Sequence, residues 1–317
     1  MPGGRILRLM IYTVTLSPAL DYLVWLDNFE EGGLNRTKRT AFRAGGKGIN
    51  VSVVLTRLGY QNICLGFTAG FVGDELIRLL NEEGIRHDFI QIKNGCSRIN
   101  VKIKSNTESE INANGPFISD NELKQLEKQA QNLVSGDILF LSGNPPKNLP
   151  ADIYSVLLDA VSGKNIRAVL DTSGKNLLSV LNKHPYLIKP NKAELEDIFE
   201  TKFDSMPQIA SAALNLRGKG AENVLVSLGR DGALLAADDN CVYTCKVPEG
   251  KLIDSTGAGD SMAAGFIAKD TSGGDREKCL RFAVACGCAS AYSYDLLEPS
   301  FLEQVFAKTP RPEKYIL

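Results

Sequence analysis

Near the C-terminal end of the chain, Asp254-Ser-Thr-Gly-Ala-Gly-Asp260 combines small residues with two carboxylates and runs directly into Ser261-Met-Ala-Ala-Gly-Phe-Ile-Ala268, which reads as a helix. Glycines let a backbone come close to a ligand, and the free N–H groups at a helix start attract anions. A phosphoryl group in transfer spreads negative charge over its oxygens, so Gly257, Ala258 and Gly259 could cradle it. Asp260, beside them, could take the proton of an attacking hydroxyl. The helix dipole alone would also favour an aspartate in the first turn.

Other segments carry polar residues at telling spacings, each with a plain structural reading beside the chemical one. Asn191 and Glu194 in Lys189-Pro-Asn-Lys-Ala-Glu194 fit an N-cap and capping box as well as they fit metal organisation. Ser227-Leu-Gly-Arg-Asp-Gly232 fits a hairpin turn between Val224–Ser227 and Ala233–Ala236. Gly45-Gly46-Lys47-Gly48 fits a tight turn before a helix ending at Gly59. It is no Walker A loop, because no Ser or Thr follows Lys47. Arg36, Lys47 and Arg98 are cations suited to a phosphorylated substrate, although Arg36, Lys38 and Arg39 also suit a solvated edge strand.

The elements that must position these residues alternate. Short apolar runs at Met10–Leu16, Ile63–Phe67, Asp137–Leu141, Ala168–Leu170, Tyr186–Ile188 and Val224–Leu228 read as buried strands. Helical patterns lie between them. Ser119 and Glu122 form a capping box ahead of Leu123, Leu126 and Leu133, and Asp74 is placed to cap a helix that stops at Gly84. Such alternation implies a mostly parallel sheet covered by helices on both faces. Tyr22–Thr40 and Phe89–Asn112 instead alternate polar and apolar residues, the pattern of a sheet with one wet face. They are expected to form a small β lid, inserted in two pieces into one α/β domain spanning residues 10–317. Residues 1–9 precede a second methionine and read as an upstream extension.

Taken together, five segments resemble the ribokinase-like, phosphofructokinase B type sugar kinases, in that family's order and across nearly the whole chain. Asp254–Asp260 resembles its C-terminal signature and Ala44–Asn50 its N-terminal one. Leu16–Asp21, Lys189–Glu194 and Ser227–Gly232 resemble its sugar, magnesium and nucleotide segments. The resemblance implies a three-layer α/β/α fold with a β-sheet lid, ATP and Mg2+ as requirements, Asp260 as catalytic base and the Gly257–Gly259 backbone as anion nest. It further implies that Asp21, Gly45, Gly46, Asn50 and Asn144 contact the sugar, with Arg36, Lys47 and Arg98 on its phosphate. Lys189, Asn191, Ser227, Gly229, Gly232 and Asp254 would face the nucleotide, and Glu194 with Asn191 would organise Mg2+ mostly through water. Relatives suggest a homodimer formed through the lid. Met10–Leu16 and Arg98-Ile-Asn-Val-Lys-Ile103 resemble the branch acting on fructose 1-phosphate, with tagatose 6-phosphate and fructose 6-phosphate as alternatives. In Ser142-Gly-Asn-Pro-Pro146, Asn144 stands where the family often has serine.

Composition sets the outer limits. A net charge of −1 leaves no basic footprint for nucleic acid or an anionic membrane. No apolar run approaches the roughly 20 residues of a spanning helix, and Met1–Leu9 lacks the apolar stretch of an export signal, so the cytoplasm is the expected compartment. The seven cysteines and two histidines form no zinc half-site and read as core or bland positions. A dinucleotide-dependent oxidoreductase would need Gly-x-Gly-x-x-Gly after the first strand, which is missing. An inactive sugar-phosphate sensor on the same fold is opposed by the intact Gly257, Gly259 and Asp260.

Overall fold

The computed structural model describes residues 9–146 and 148–316. Residues 1–8 of the expected upstream extension lie outside the described residues. Its strands are β1 (Ile11–Thr15), β2 (Ala19–Trp25), β3 (Arg39–Gly45), β4 (Asn62–Ala69), β5 (His87–Ile92), β6 (Arg98–Lys104) and β7 (Ser109–Asn112). They continue with β8 (Ile138–Ser142), β9 (Arg167–Asp171), β10 (Leu187–Ile188), β11 (Asn223–Ser227), β12 (Ala233–Ala236), β13 (Val242–Cys245) and β14 (Glu313–Tyr315).

Ten strands make the main sheet, in the order β14-β13-β12-β11-β10-β9-β8-β1-β4-β5. The stretch from β11 to β5 is parallel, and β12, β13 and β14 add an antiparallel edge. Both faces of the central strands are buried, which is why they read as unbroken apolar runs. In β8, Leu139 and Leu141 pack to one side with Leu126, Ile153 and Ile209, while Ile138 and Phe140 pack to the other with Val54, Phe266 and Val284. The helices Ala258–Thr271 and Arg276–Ala291 cross closely, since a Cβ at Gly265 would lie 2.6 Å from Cys286 Sγ. Cys64, Cys245, Cys279, Cys286 and Cys288 are buried free thiols, as expected of small core residues.

After β1 the chain builds outward to β4 and β5, then returns to add β8 and its successors on the other side. The carboxyl ends of β1 and β8 therefore flank a switch in strand order, the place where open α/β sheets bind ligands. Over that edge sits a four-stranded lid, ordered β3-β2-β6-β7.

Three local expectations need correction. The lid strands begin at Ala19 and Arg98 and run to Gly45 and Asn112, whereas Phe89–Ile92 belongs to β5 at the edge of the main sheet. An edge strand also has one wet face, so its alternation mimics a lid strand. Residues 26–38 form a connection between β2 and β3 and contain no strand. The helix expected from Asp74 starts earlier, at Gly70 directly off β4, so Asp74 lies inside it; Gly84, with φ 68°, does end it. The Ser119–Glu122 box forms as read, Glu122 accepting from the Ser119 N–H at 2.9 Å. No helix among the described residues is long and apolar enough to cross a membrane.

Candidate active site

Two cavities open at the carboxyl edge of the main sheet and meet at Lys47, which lines both. One, of about 620 Å3, lies under the lid between Ser17, Gly46, Arg98, Ser142 and Asn144. The other, of about 880 Å3, is a groove running from Asp171 and Lys189 past Ser227 and Gly229 to Pro248 and Tyr292.

Asp260 stands in the first turn of Ala258–Thr271, whose N-cap Gly257 takes a left-handed φ of 75°. Only 6% of Asp260 is exposed, and its Oδ2 accepts a 2.7 Å hydrogen bond from Asn50 Nδ2. Burial, reinforced by the charge of Asp171, pushes its carboxyl up to about 6, while the Asn50 bond, Lys47 and Lys189 pull the other way. A carboxylate so placed is ionised at neutral pH yet basic enough to take a proton. The neighbouring backbone is less uniform than expected. The Ala258 N–H is already bonded to the Ser255 carbonyl at 3.2 Å, and among the described residues the N–H groups of Gly257 and Gly259 find no acceptor.

Beneath the junction lies Asp171, at the end of β9 and 1% exposed. Lys47 Nζ donates to its Oδ1 at 3.0 Å and Lys189 Nζ lies 3.3 Å from its Oδ2. Burial works against its charge, yet Lys189 and Lys47 hold the carboxyl below the ordinary aspartate value. Burial likewise opposes the Lys47 ammonium, but Asp171, Asp260 and Glu194 keep its pKa above the usual lysine value. The contact between Lys189 and Oδ2 is an ion pair without hydrogen-bond geometry, so among the described residues Oδ2 is a buried oxygen lacking a donor. Sequence reasoning missed Asp171; the available signal was an acid directly after the apolar run Ala168–Leu170.

On the lid, Asp21 of β2 lies opposite Asn100 of β6, whose Nδ2 donates to Asp21 Oδ1 at 2.9 Å. Burial raises the Asp21 carboxyl, partly offset by Asn100, Lys102 and Arg98. Asn100 Oδ1 and Ser142 Oγ are buried oxygens without partners among the described residues, and neither residue was singled out from the sequence. Arg98 donates from Nε to the Ser17 carbonyl at 3.2 Å, aligning its side chain along the lid cavity. Asn144 is held by Ser173 and Thr172, with Oδ1 accepting at 3.0 to 3.2 Å, so the side chain expected on the sugar also staples its own loop.

Several expected site residues stand elsewhere. Arg36 lies exposed in the connection between β2 and β3 and lines neither cavity. Gly45 contributes space, since a Cβ there would lie 2.4 Å from Asp21 Oδ2. Gly232 is outside the groove; a Cβ would approach the Cys245 carbonyl to 1.9 Å, so close hairpin packing requires glycine. Asp254 faces the lid, where it accepts from Lys104 Nζ at 3.0 Å. Asn191 and Glu194 form a complete capping box, with bonds of 2.9 and 2.8 Å, at the groove's rim. The apolar groove wall of Val247, Pro248, Leu252 and Tyr292 was also missed; nothing in its spacing distinguishes it from ordinary loop and helix residues.

Comparison with known proteins agrees with this geometry. Residues 15–300 match the family described as pfkB family carbohydrate kinase. The chain is 43% identical over 296 residues to the 1-phosphofructokinase of Bacillus subtilis (strain 168), covering 93% of this chain and 97% of that one. It is 38% identical to the D-tagatose-1-phosphate kinase of Bacillus licheniformis, over 93% and 97% of the two chains. The crystal structure of phosphofructokinase-2 from Escherichia coli in complex with fructose-6-phosphate is similar with a TM-score of 0.88 at 29% identity, over 94% of this chain and 98% of that one. This chain belongs to the pfkB family of carbohydrate kinases.

Proposed function

We propose that the chain transfers the γ-phosphoryl group of ATP to the 6-hydroxyl of fructose 1-phosphate, giving fructose 1,6-bisphosphate in the cytoplasm. The observation that carries this reading is the meeting of a lid cavity holding Arg98 with an apolar-walled groove at Lys47, beside the buried, Asn50-bonded Asp260. The substrate class is supported by the similarity to a 1-phosphofructokinase and to a kinase of another ketose 1-phosphate.

In this reading Asp21 and Asn100 receive sugar hydroxyls, filling the partnerless Asn100 Oδ1. Arg98, Ser142 and Asn144 hold the phosphate already on the sugar. Val247, Pro248 and Tyr292 sandwich the adenine, and Lys189, Ser227 and Gly229 follow the phosphates along the groove. Asn50 aims Asp260, which accepts the hydroxyl proton as that oxygen attacks. Lys47, shared by both cavities, and the free N–H groups of Gly257 and Gly259 offset the charge that develops on the phosphoryl oxygens.

No group of three metal-ligating side chains exists among the described residues. Magnesium needs only one or two carboxylates beside substrate phosphates and retained water. Asp171, with its donorless Oδ2, and Glu194, close enough to act on Lys47, fit that requirement. Bound there, Mg2+ would neutralise phosphate charge.

The lid also supplies a dimer surface. Phe42, Tyr22, Val101 and Ile111 lie in register across its four strands, with Phe42 51% and Ile111 59% exposed. Burying such a row against a second copy removes apolar area from water.

A coupled ADP-release assay with Mg-ATP tests the assignment against fructose 1-phosphate, fructose 6-phosphate, tagatose 6-phosphate, tagatose 1-phosphate and free fructose. A kcat/KM for fructose 1-phosphate at least about tenfold above the rest, some 1.4 kcal/mol of transition-state discrimination, is expected. A win by another ketose phosphate would overturn the substrate while leaving the phosphoryl-transfer site in place.

A further inference from the structure

Lys104 ends β6, beside Trp25 of β2, at the margin of the lid far from Arg98. Its ammonium leaves the lid and donates to Asp254 Oδ2 at 3.0 Å, with a second bond of 2.8 Å to Glu108 in its own sheet's connection. Both partners of the first bond are largely shielded, with side chains 15% and 13% exposed. Asp254 opens the loop that leads into Gly257. Its Oδ1 accepts the Thr256 N–H at 2.9 Å, and its own N–H and that of Ile253 are tied to the Ala291 carbonyl. A lid side chain therefore grips the first residue of the loop whose end presents the free N–H groups and Asp260. The β3 edge of the lid is also held to this region, Arg43 bonding the Tyr294 carbonyl and lying 3.5 Å from Asp295. Leu296, two residues on from Tyr294, packs against Gly257, its Cδ2 2.5 Å from where a Cβ would stand.

We propose that Lys104 is a positioning residue: by bonding Asp254 only when the lid is down, it couples closure over the sugar phosphate to the shape of the loop that receives the phosphoryl group. The inference rests on the phosphoryl-transfer reading above. A shielded, charge-assisted bond made in one of two states biases their ratio, so losing it leaves the lid open more often and the anion loop less well set. Water then reaches the nucleotide in a larger share of encounters.

The test measures sugar bisphosphate and ADP separately in the full-length enzyme and its Lys104→Met, Lys104→Arg, Asp254→Asn, Glu108→Gln and Lys104→Met/Asp254→Asn variants. Trp25, the only tryptophan in the chain, reports lid position by its fluorescence during titration with fructose 1-phosphate and ADP. Lys104→Met is expected to lower transfer about tenfold, to raise the ratio of ATP hydrolysed to sugar phosphorylated, and to weaken the ligand-induced Trp25 change. Lys104→Arg should keep transfer within about threefold, Glu108→Gln should stay near wild type, and the double variant should be no worse than the worse single one, as expected for one shared interaction. Additive losses, or an unchanged hydrolysis-to-transfer ratio in both Lys104→Met and Asp254→Asn, would overturn the coupling even where thermal melts show those variants folded. Failure of the phosphoryl-transfer reading looks different: the wild-type enzyme itself would phosphorylate none of the ketose phosphates.

Discussion

Asn50 and Asp260, 210 positions apart in sequence, are joined by a 2.7 Å hydrogen bond from Nδ2 to Oδ2. The bond stabilises the ionised carboxylate and fixes its direction. Replacing the proposed base by Asp260→Asn should cut kcat a hundredfold or more with KM for both substrates little changed. Steady-state kinetics on the purified variant give the answer, and near-normal turnover would remove Asp260 from its role.

Acidity offers a second, sign-dependent check. With its carboxyl at about 6, Asp260 is protonated progressively below that pH, so kcat/KM should fall on the acid side with an inflection near this value. Asn50→Ala removes a bond that favours the ionised form and should move the inflection to higher pH. Asp171→Asn removes a negative charge that disfavours it and should move the inflection lower. Two shifts in the same direction would contradict the electrostatic arrangement described.

The same group makes a linked stability prediction. The folded-state pKa of Asp260 is raised, so protonation favours the native state: its contribution is fully present below the unfolded pKa near 3.8 and is lost as pH rises through about 6. Asp260→Asn should therefore raise the unfolding free energy at pH 7 to 8 by an amount on the order of 3 kcal/mol, with the gain vanishing toward pH 4. A destabilised variant at neutral pH would count against a charge buried at a cost.

Much of this arrangement is legible before any coordinates. The central strands announce themselves because both faces are buried, and the Asn191–Glu194 and Ser119–Glu122 boxes because capping needs fixed residue types at fixed spacing. Asp171 was overlooked because a single acid after a strand has no spacing signature; its importance comes from Lys47 and Lys189, 124 and 18 positions away. β5 was drawn into the lid because edge position, like lid position, wets one face. Asp254 sits in a motif read for nucleotide contact, and its side chain turns out to serve the lid.

Buried ion pairs depend on both members. Asp171→Ala leaves Lys189, whose side chain is 5% exposed, without its ion-pair partner and should lower stability by about 3 kcal/mol, read from chemical denaturation. Lys47, with 40% of its side chain exposed, adds less to that loss.

Cations on the lid should separate cleanly. If Arg98 holds the substrate phosphate as proposed, Arg98→Ala removes a charged contact worth about 2 kcal/mol and should raise KM for the sugar phosphate roughly thirtyfold, with KM for ATP unaffected. Arg36→Ala, in an exposed connection away from both cavities, should change neither constant more than twofold. Equal effects of the two would mean that the β2–β3 connection reaches the substrate.

Because the sheet is built outward from β1 and completed from the other side, the residues around the junction enter the chain in a functional order during synthesis. Asp21, Lys47 and Arg98 emerge from the ribosome early, Asp171 and Lys189 midway, and Gly257, Gly259 and Asp260 after four-fifths of the protein has been made. A partly translated chain therefore holds the residues proposed to contact the sugar while lacking the proposed base and the loop beside it. A product truncated before Gly257 would lack the proposed base and the loop beside it, and is expected to transfer no phosphoryl group.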